Sequence, residues 1–259
     1  RAALLEPQEE IVAPVLPVAL IIGGGLGGMT AAATLARRGF QGFLVEKDPT
    51  LGGLLRGLHL LYPSVREARE VLAEMVRDIE AYPNLEVYTS FRVDKIFGYI
   101  GNYEVRLVSS DPSLENSPKG TVDLKVGIIV VATGAEVHIP ELGTYGYDRE
   151  RVITQWELEG RLKSGQIGNV QDVVMIQCVG AMTEERVYCS KICCMTAIKN
   201  ALILKEKSPQ ARVHILYRDI QSYGSTYEAT LRQAKEAGIR FVCYDPTSPP
   251  KVDQEAGTV

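Results

Sequence analysis

The distribution of apolar and polar residues near the start of the chain predicts a strand, a turn, a helix and a second strand. Residues 18–22 form a short, charge-free apolar run, which is typical of a parallel strand covered on both faces. Residues 23–28 read Gly-Gly-Gly-Leu-Gly-Gly, residues 29–38 form an alanine-rich helical stretch, and residues 43–46 read as the next strand. This order is that of a βαβ unit with a glycine-rich turn after its first strand.

The middle of the chain predicts one surface helix and a small antiparallel meander. Apolar residues recur with the helical period of about 3.6 over residues 65–82. Four segments are predicted as the strands of the meander: residues 86–88, 91–99, 103–108 and 121–125. A hairpin turn is predicted at Gly101-Asn102 and a polar loop over 111–120. Residues 126–132 then read as one buried strand that ends at Thr133-Gly134.

A second alternation of helices and strands follows in the later part of the chain. The predicted helices are 155–162, 190–205 and 226–237, and the predicted strands are 172–177, 213–217 and 239–244. We therefore expect an α/β fold made of two Rossmann-like three-layer units with a small antiparallel β-meander. The expected domains are a leader at 1–17, a dinucleotide-binding domain at 18–160 with the meander at 86–125, a second Rossmann-like domain at 161–245, and a truncated tail at 246–259.

Composition and charge exclude several classes of function. The 259 residues carry a formal net charge of -4, which gives no electrostatic case for binding nucleic acid or an anionic membrane. Residues 11–36 are uncharged, but their prolines and glycines argue against an integral membrane segment. Five cysteines are too few for a disulfide framework and no secretory leader is visible, so we expect a cytoplasmic protein. The start at Arg1 and the ragged end suggest a piece of a longer protein.

The glycine-rich turn predicts a dinucleotide site. Gly23, Gly25 and Gly28 form a G-x-G-x-x-G pattern at a helix N-terminus, where close backbone approach and free N–H groups favour a pyrophosphate. Glu46 would accept hydrogen bonds from the ribose hydroxyls and repel a 2′-phosphate. The order of βαβ unit, double glycine, meander and Ala-Thr-Gly favours FAD over NAD, although a glycine-rich turn without a ligand stays an alternative. The residues expected to hold FAD are Gly23, Gly25, Leu26, Gly27, Gly28, Glu46, Lys47, Gly52, Gly53, Val93, Ala132, Thr133 and Gly134.

Four cysteines occur where a second dinucleotide turn is expected. Cys178 follows the strand predicted at 172–177, and the turn continues to Glu184-Glu185 instead of a second glycine fingerprint, so we expect no NAD(P)H site here. Cys189 and Cys193 are spaced i, i+4 on one predicted helix face, with Cys194 beside them. A helix N-terminus favours thiolates, so the four sulfur atoms could converge on a 4Fe–4S cluster.

Other interpretations of these cysteines stay open. They could be inert core thiols or ligands of a structural zinc, whereas a disulfide between adjacent Cys193 and Cys194 would be strained. Cys243 lies within a predicted strand and reads as a core residue. A helix lysine such as Lys199 is usually exposed to solvent, although its register could direct it toward whatever lies beside the cysteines. The three histidines, His59, His138 and His214, show no metal-ligand spacing.

The cysteine region resembles the A subunit of heterodisulfide reductase and its relatives. The resemblance is carried by Cys178-Val-Gly180, by E-E-R-V-Y-C-S-K-I-C-C-M-T-A-I-K-N-A over residues 184–201, by L-Y-R-D-I over 216–220, and by Tyr223-Gly224. It implies a thioredoxin-reductase-like FAD/NAD(P)-binding fold, an oxidoreductase that binds FAD, and a 4Fe–4S cluster on Cys178, Cys189, Cys193 and Cys194. It also implies that Lys199 lies near the flavin N5, where a cation would stabilise reduced flavin.

The resemblance sets the functional hypothesis and its alternatives. It implies a FAD-dependent, iron–sulfur electron-transfer subunit whose partners are other subunits of the complex and ferredoxin or hydrogenase-type electron donors. No ferredoxin-like cysteine-rich stretch occurs in the sequence, and the chain stops before the segment that completes FAD binding, so we expect no activity from this fragment alone. The alternatives are an NAD(P)H-linked disulfide oxidoreductase with a Cys189/Cys193 dithiol and a non-catalytic docking module.

Overall fold

The computed structural model describes residues 14–111, 114 and 120–253. The predicted leader, the predicted polar loop and the predicted tail therefore lie partly outside the described residues. The chain divides into two compact units, one of Arg1–Arg56 with Val71–Ala135 and the other of Gly57–Glu70 with Glu136–Val259.

A four-stranded parallel sheet forms the centre of the first unit. Through residue 135 the elements are β1 Val18–Ile22, α1 Leu26–Arg37, β2 Gln41–Glu46, a 3₁₀ turn Gly53–Arg56, α2 Ala68–Glu80, β3 Leu85–Thr89, β4 Phe91–Tyr99, β5 Asn102–Ser109, β6 Thr121–Val126 and β7 Ile128–Val131. The sheet order is β3-β2-β1-β7. Because Ile22 pairs in parallel with both Val45 and Val131, the carboxyl ends of three strands meet at one edge of the sheet.

The structure confirms the first βαβ unit and corrects the partner of β3. Strand β1 has the predicted bounds, and α1 buries small side chains such as Ala32 and Ala36, which lets the helix pack closely. Strand β3 pairs in parallel with β2, so the prediction that residues 86–88 begin the meander was wrong. The alternation of apolar and polar residues predicts that a segment is a strand, but it does not predict which strand it pairs with. The pairing is decided by the tertiary structure.

The meander covers the apolar side chains of the parallel sheet. Its three antiparallel strands have the order β4-β5-β6, and β4 turns into β5 through Ile100-Gly101, where Gly101 has a φ of +99°. The shared core contains Leu20, Phe43, Val45, Val105, Leu107, Leu124 and Val126, with Val93 packed against it. The meander therefore forms one layer of the first unit, packed against the parallel sheet.

Gly127 divides the stretch that the sequence presents as a single buried strand. Its N–H donates to Val18 O, and a Cβ at this position would overlap the carbonyl oxygen of Leu16. Strand β6 ends before it in the meander, and β7 begins after it in the parallel sheet. The strand predicted over 126–132 is therefore present as β7 from Ile128, but the prediction that it is buried was wrong, since Val131 of this edge strand is 71% exposed.

A three-stranded parallel sheet with the order β10-β9-β8 forms the second unit. Its named elements after residue 135 are a 3₁₀ turn Thr144–Gly146, α3 Gln155–Ser164, β8 Asp172–Ile176, α4 Cys193–Lys207, β9 Arg212–Tyr217, α5 Ser225–Glu236 and β10 Arg240–Cys243. The core is built from helix and sheet side chains that include Met195, Ile198, Leu204, Met175 and Ile215. This arrangement confirms the second predicted alternation.

The helices of the second unit have sequence-encoded ends. Helix α3 begins with a capping box, in which Thr154 and Glu157 satisfy each other's backbone N–H groups, and it ends at Gly165 with a φ of +70°. Helix α4 is the longest described helix, with 15 residues. Within residues 14–111 and 120–253, no helix combines the length and the apolar character needed to cross a bilayer.

Candidate functional site

The glycine-rich turn after β1 is compact because its backbone segments touch. Gly23 has a φ of +110° and its N–H donates to Val45 O at 2.8 Å. A Cβ at Gly28 would overlap the carbonyl oxygen of Gly23, so the first turn of α1 requires glycine there. The N-cap residue Gly25 supplies no side-chain acceptor, which leaves first-turn N–H groups of α1 free to bind an anion.

Glu46 is a buried carboxylate at the end of β2 that organises this turn. Its Oε2 accepts the N–H of Gly24 at 2.7 Å, and its Oε1 accepts the N–H of Asp48 at 2.9 Å. Each carboxylate oxygen can accept more than one hydrogen bond, so capacity remains for a ligand hydroxyl. The binding of ribose hydroxyls by Glu46 stays a prediction.

Two further stretches predicted from the sequence meet the same turn. The N–H of Gly52 donates to Gly24 O at 2.8 Å, and a Cβ on Gly53 would lie 3.2 Å from Gly25 Cα. The N–H of Ala132 continues the β1–β7 pairing by donating to Ile22 O at 2.8 Å. Of the other predicted FAD residues, the exposed ones at this edge are Leu26, Gly27, Lys47, Thr133 and Gly134, while Val93 packs in the meander core. These backbone segments pack closely around the glycine-rich turn, and this packing is the structural support for a dinucleotide site there.

The cysteine loop of the second unit begins at the carboxyl end of β8. The N–H of Gln177 donates to Leu216 O at 2.8 Å, and Cys178 then leaves the sheet with a φ of +66°. Met182 and Lys191 also have positive φ values, of 55° and 57°. Non-glycine residues in this region cost about 1–2 kcal/mol each, and such strain is concentrated at functional sites.

Helix α4 begins at Cys193, later than the sequence predicts. Cys193 and Cys194 are its first two residues, and Cys189 lies in the preceding loop. The prediction that Cys189 and Cys193 share a helix face was therefore wrong. The left-handed backbone of Lys191 is incompatible with a right-handed helix, so the helix cannot extend back to Cys189.

The four cysteines influence one another electrostatically. Burial raises the pKa of the Cys178 thiol, and the charges of Cys193 and Cys189 raise it further. A hydrogen bond from the Cys194 thiol lowers the pKa of Cys193 to about 6, and the same bond raises the pKa of Cys194. The sulfur atoms predicted from the sequence are thus gathered in one region, and Cys194 is the buried member.

Backbone N–H groups point at these sulfur atoms. Cys189 Sγ accepts the N–H of Lys191 at 3.3 Å, and a backbone hydrogen bond from Arg218 partly offsets the raised pKa of Cys178. A backbone hydrogen bond from Gln221 acts in the same direction on the pKa of Cys194. Such N–H···S bonds stabilise thiolates and the sulfur atoms of iron–sulfur clusters.

Arg218 holds the cysteine loop from the end of β9 and was not singled out by sequence reasoning. Its Nη1 donates to Met182 O at 2.9 Å, while its Nε is buried without a hydrogen-bond partner among the described residues. A buried cationic donor near Cys178 suits an anionic, sulfur-rich group. Within the described ranges, however, no group of three or more His, Cys, Asp and Glu side chains is arranged to hold a metal ion, so the sulfur atoms are gathered without forming a closed coordination shell.

A cleft of about 440 Å³ lies beside the first half of the cysteine loop. It is lined by His138, Gly180, Thr183, Glu184, Glu185 and Arg186. Gly180 has a φ of +68°, and a Cβ there would overlap the ring of His138. The lining thus carries two exposed carboxylates and the guanidinium of Arg186, and the expectation of no dinucleotide at this turn stays a prediction.

Lys199 is buried in an ion pair, contrary to the usual exposure of helix lysines. The Lys199 side chain is 6% exposed and that of its partner Glu159 is 1% exposed. Lys199 Nζ also donates to Leu60 O at 2.7 Å, and Glu159 Oε2 accepts the N–H of His59 at 2.9 Å. Sequence reasoning missed Glu159, because nothing in the local pattern of α3 distinguishes it from an exposed glutamate.

Cys243 is separate from the other cysteines. It ends β10 with an exposed side chain, and its thiol donates to Arg218 O at 3.6 Å. The prediction of a core residue was therefore wrong. Cys243 is the last residue of β10, which is an edge strand of the sheet, so one side of the strand is open to solvent.

Comparison with known proteins identifies a family over most of the chain. Residues 18–180 match the family described as pyridine nucleotide-disulphide oxidoreductase. The A subunit of the H(2):CoB-CoM heterodisulfide,ferredoxin reductase of Methanothermobacter marburgensis is 28% identical over 93% of this chain and 50% of its own length. An iron-sulfur A subunit of the CoB--CoM heterodisulfide reductase of Methanopyrus kandleri is 30% identical over 86% of this chain and 47% of its own. The chain thus spans about half the length of these relatives, and the resemblance drawn from the cysteine segment is confirmed.

Solved structures show the same fold. Lactococcus lactis thioredoxin reductase has a TM-score of 0.52 at 19% identity, covering 93% of this chain and 67% of that one. T. acidophilum thioredoxin reductase has a TM-score of 0.51 at 17% identity, covering 87% of this chain and 63% of that one. These similarities confirm the predicted thioredoxin-reductase-like α/β fold.

Breaking the buried ion pair will destabilise the second unit. Lys199→Met leaves Glu159 as an unpaired buried charge, and we expect a loss of about 3–5 kcal/mol in the free energy of unfolding, measured by urea denaturation. The double variant Lys199→Met with Glu159→Leu should recover most of this loss. Lys125→Met, which removes an exposed lysine paired with Glu104, is the control and should have little effect. Equal stability of the two single variants would contradict the assignment.

The metal-free chain will react with iodoacetamide first at Cys193. Its thiolate predominates above a pKa of about 6, so the alkylation rate should reach half its maximum near that pH and fall as the thiol becomes protonated below it. Peptide mapping by mass spectrometry measures the rate at each cysteine. A half-maximal rate at about pH 8.5, the value of an unperturbed thiol, would show that the Cys194 hydrogen bond is absent in solution.

Proposed function

Since the chain belongs to the pyridine nucleotide-disulphide oxidoreductase family, we propose that it is a FAD-dependent, iron–sulfur electron-transfer unit of a heterodisulfide-reductase-like complex. The observation that carries the proposal is the gathering of Cys178, Cys189, Cys193 and Cys194 at the carboxyl end of β8, where a Rossmann-like unit ordinarily has its dinucleotide turn. The relatives' names describe subunits of heterodisulfide reductases. The proposed partners of this chain are therefore the other subunits of such a complex.

The first unit would hold FAD at the edge formed by β1, β2 and β7. The N–H groups at the start of α1 would bind the pyrophosphate, and Glu46 would orient the ribose through its remaining acceptor capacity. Gly52-Gly53 and Ala132-Thr133-Gly134 would let the cofactor approach the backbone closely. When bound, a flavin accepts electrons in pairs and releases them singly, which is the chemistry needed between two-electron donors and one-electron clusters.

The second unit would hold a 4Fe–4S cluster on its four gathered cysteines. The thiolate-favouring hydrogen bonds to Cys178, Cys193 and Cys194 support this donor set, and the buried Nε of Arg218 would face an anionic group. Adjacent cysteines suit the separate irons of a cluster better than a single tetrahedral zinc. The predicted role of Lys199 at the flavin stays part of this proposal, as do ferredoxin or hydrogenase-type donors and a cytoplasmic location.

A thiol-disulfide reaction is the second candidate function. The family description and the lowered pKa of Cys193 favour a redox dithiol with Cys189. The acidic cleft at Glu184 and Glu185 argues against the nicotinamide that this reaction would require. Anaerobic addition of NADPH separates the two candidates, since bleaching of the flavin supports the dithiol and unchanged flavin absorbance supports the cluster.

Loss of any of the four cysteines will release iron. We expect Cys178→Ser, Cys189→Ser, Cys193→Ser and Cys194→Ser each to weaken iron retention at least roughly tenfold, because each removes a thiolate ligand. Iron and sulfide are counted per chain after anaerobic purification. The matched control is Cys243→Ser, which changes an exposed cysteine outside the set and should keep full iron content. Wild-type protein without iron would refute the cluster.

Loss of the buried carboxylate at the end of β2 will weaken flavin binding. Glu46→Gln replaces one acceptor oxygen with an N–H₂ donor that faces a backbone N–H, so the loop loses a charged hydrogen bond of about 1.5–3 kcal/mol. The expected result is FAD binding weakened by roughly tenfold to a hundredfold, measured by flavin fluorescence titration. Glu86→Gln is the control, since Glu86 accepts a hydrogen bond from Tyr88 at an exposed position. Equal FAD affinity in the two variants would show that Glu46 does not organise the site.

A further inference from the structure

The loop that follows β2 lies directly on the glycine-rich turn. The N–H of Gly52 donates to Gly24 O at 2.8 Å. A Cβ at Gly24 would lie 2.5 Å from Leu51 Cδ2, so the Leu51 side chain fills the space that a side chain at Gly24 would need. Residues 47–56, the cover loop, therefore form one wall of the predicted FAD site. Whatever fixes this loop also fixes the shape of that site.

Arg56, the last residue of the cover loop, binds the loop at three points. Its guanidinium forms an ion pair with the carboxylate of Asp48. Its Nη1 donates to Thr50 Oγ1 at 2.6 Å, and its Nε donates to Gly53 O at 3.4 Å. An arginine can serve several acceptors at once because its N–H donors are fixed in one plane. One side chain thus connects the start, the middle and the end of the loop.

Asp48 is the fixed end of this ion pair. Its N–H donates to Glu46 Oε1 at 2.9 Å, and its carbonyl oxygen accepts the N–H of Ser90 at 3.0 Å. The Asp48 backbone is therefore attached to the last residue of β2 and to the residue after β3. Because Asp48 is held in this way, its attraction for Arg56 draws the far end of the cover loop toward the glycine-rich turn.

The cover loop is weakly buried, so a modest interaction is enough to decide whether it stays closed. Gly52 and Leu55 are buried, whereas Lys47 and Leu54 are exposed. The Arg56 and Asp48 side chains are 38% and 39% exposed, and such a pair adds little to the stability of a whole domain. It can still shift the equilibrium between an open and a closed loop, and a ligand that needs the closed form binds in proportion to the closed fraction.

We propose that Arg56 is a positioning residue that, through its ion pair with Asp48, holds the cover loop closed on the glycine-rich turn and thereby slows the release of FAD. The inference rests on the proposed function, because it requires FAD in the first unit. Arg56 acts through the loop and not by contacting the cofactor, since its guanidinium is engaged by Asp48, Thr50 and Gly53. The effect reaches the cofactor through the double glycine, whose backbone lies against the turn.

The test measures the rate of FAD release from the full protein by the recovery of flavin fluorescence. Arg56→Met removes the charge and keeps the apolar stem, so release should become about fivefold faster while the melting temperature changes little. Asp48→Asn should have the same effect. The double variant should be no faster than either single variant, because all three lack the same ion pair. Arg106→Met is the control, since it removes a bidentate, exposed pair with Asp123 in the meander and should leave the rate unchanged.

Two further measurements separate the ion pair from other roles of Arg56. A guanidinium that bound the pyrophosphate directly would be released by the loss of Asp48, so slower FAD release in Asp48→Asn would overturn the inference. Salt at about 1 M screens an exposed ion pair, so the rates of Arg56→Met and the unaltered protein should then converge. A difference that persists undiminished in this salt would overturn the ion pair as the cause.

Hydrogen exchange of the cofactor-free protein gives a readout that does not need FAD. The Gly52 amide, which donates to Gly24 O, should exchange about fivefold faster in Arg56→Met, while the amides of β1 keep their rates. Equal exchange at Gly52 in the two proteins would overturn the role of Arg56. Unchanged FAD release in Arg56→Met, with FAD bound by the unaltered protein, overturns this inference and leaves the proposed function intact. Absence of FAD binding by the unaltered protein overturns both.

Discussion

Parallel pairing of strands is the constraint on which both candidate sites depend. Parallel strands end at the same edge of a sheet, so loops that are distant in the sequence become neighbours there. The register of Ile22 with Val45 and Val131 brings the glycine turn, Glu46 and Ala132 together. In the second unit, parallel pairing of β8 and β9 brings Cys178 to the same edge as Arg218. Neither site could form from a local segment.

The two edges offer different chemistry on similar scaffolds. In the first unit, close-packed glycines expose the start of α1, and one buried carboxylate holds the turn. In the second unit, the corresponding turn is replaced by a longer loop with left-handed residues at Cys178, Met182 and Lys191. That backbone is costly, and hydrogen bonds from Arg218 to the loop carbonyls help to offset the cost. The same loop places the carboxylates of Glu184 and Glu185 in the lining of the cleft.

Helix α4 connects the cysteines to the interior of the second unit. Its first turn carries two sulfur atoms, and its next turns bury Met195, Ile198 and Lys199. The lysine is tolerated because Glu159 and a main-chain carbonyl satisfy it, so the helix has a polar contact in an otherwise apolar interior. This contact also fixes the segment that contains His59 and Leu60, because both of its charged groups hydrogen-bond to the backbone there.

The sequence by itself determined the order and type of the elements, the glycine-rich turn and the identity of the four cysteines. These features are encoded locally, in residue period, in glycine where a side chain would collide, and in thiol chemistry. Only the tertiary structure decided that β3 joins the parallel sheet, that α4 starts at Cys193, that Cys243 is exposed and that Lys199 is buried. Each of these depends on which distant segment covers a given face, and a local pattern carries no information about that segment.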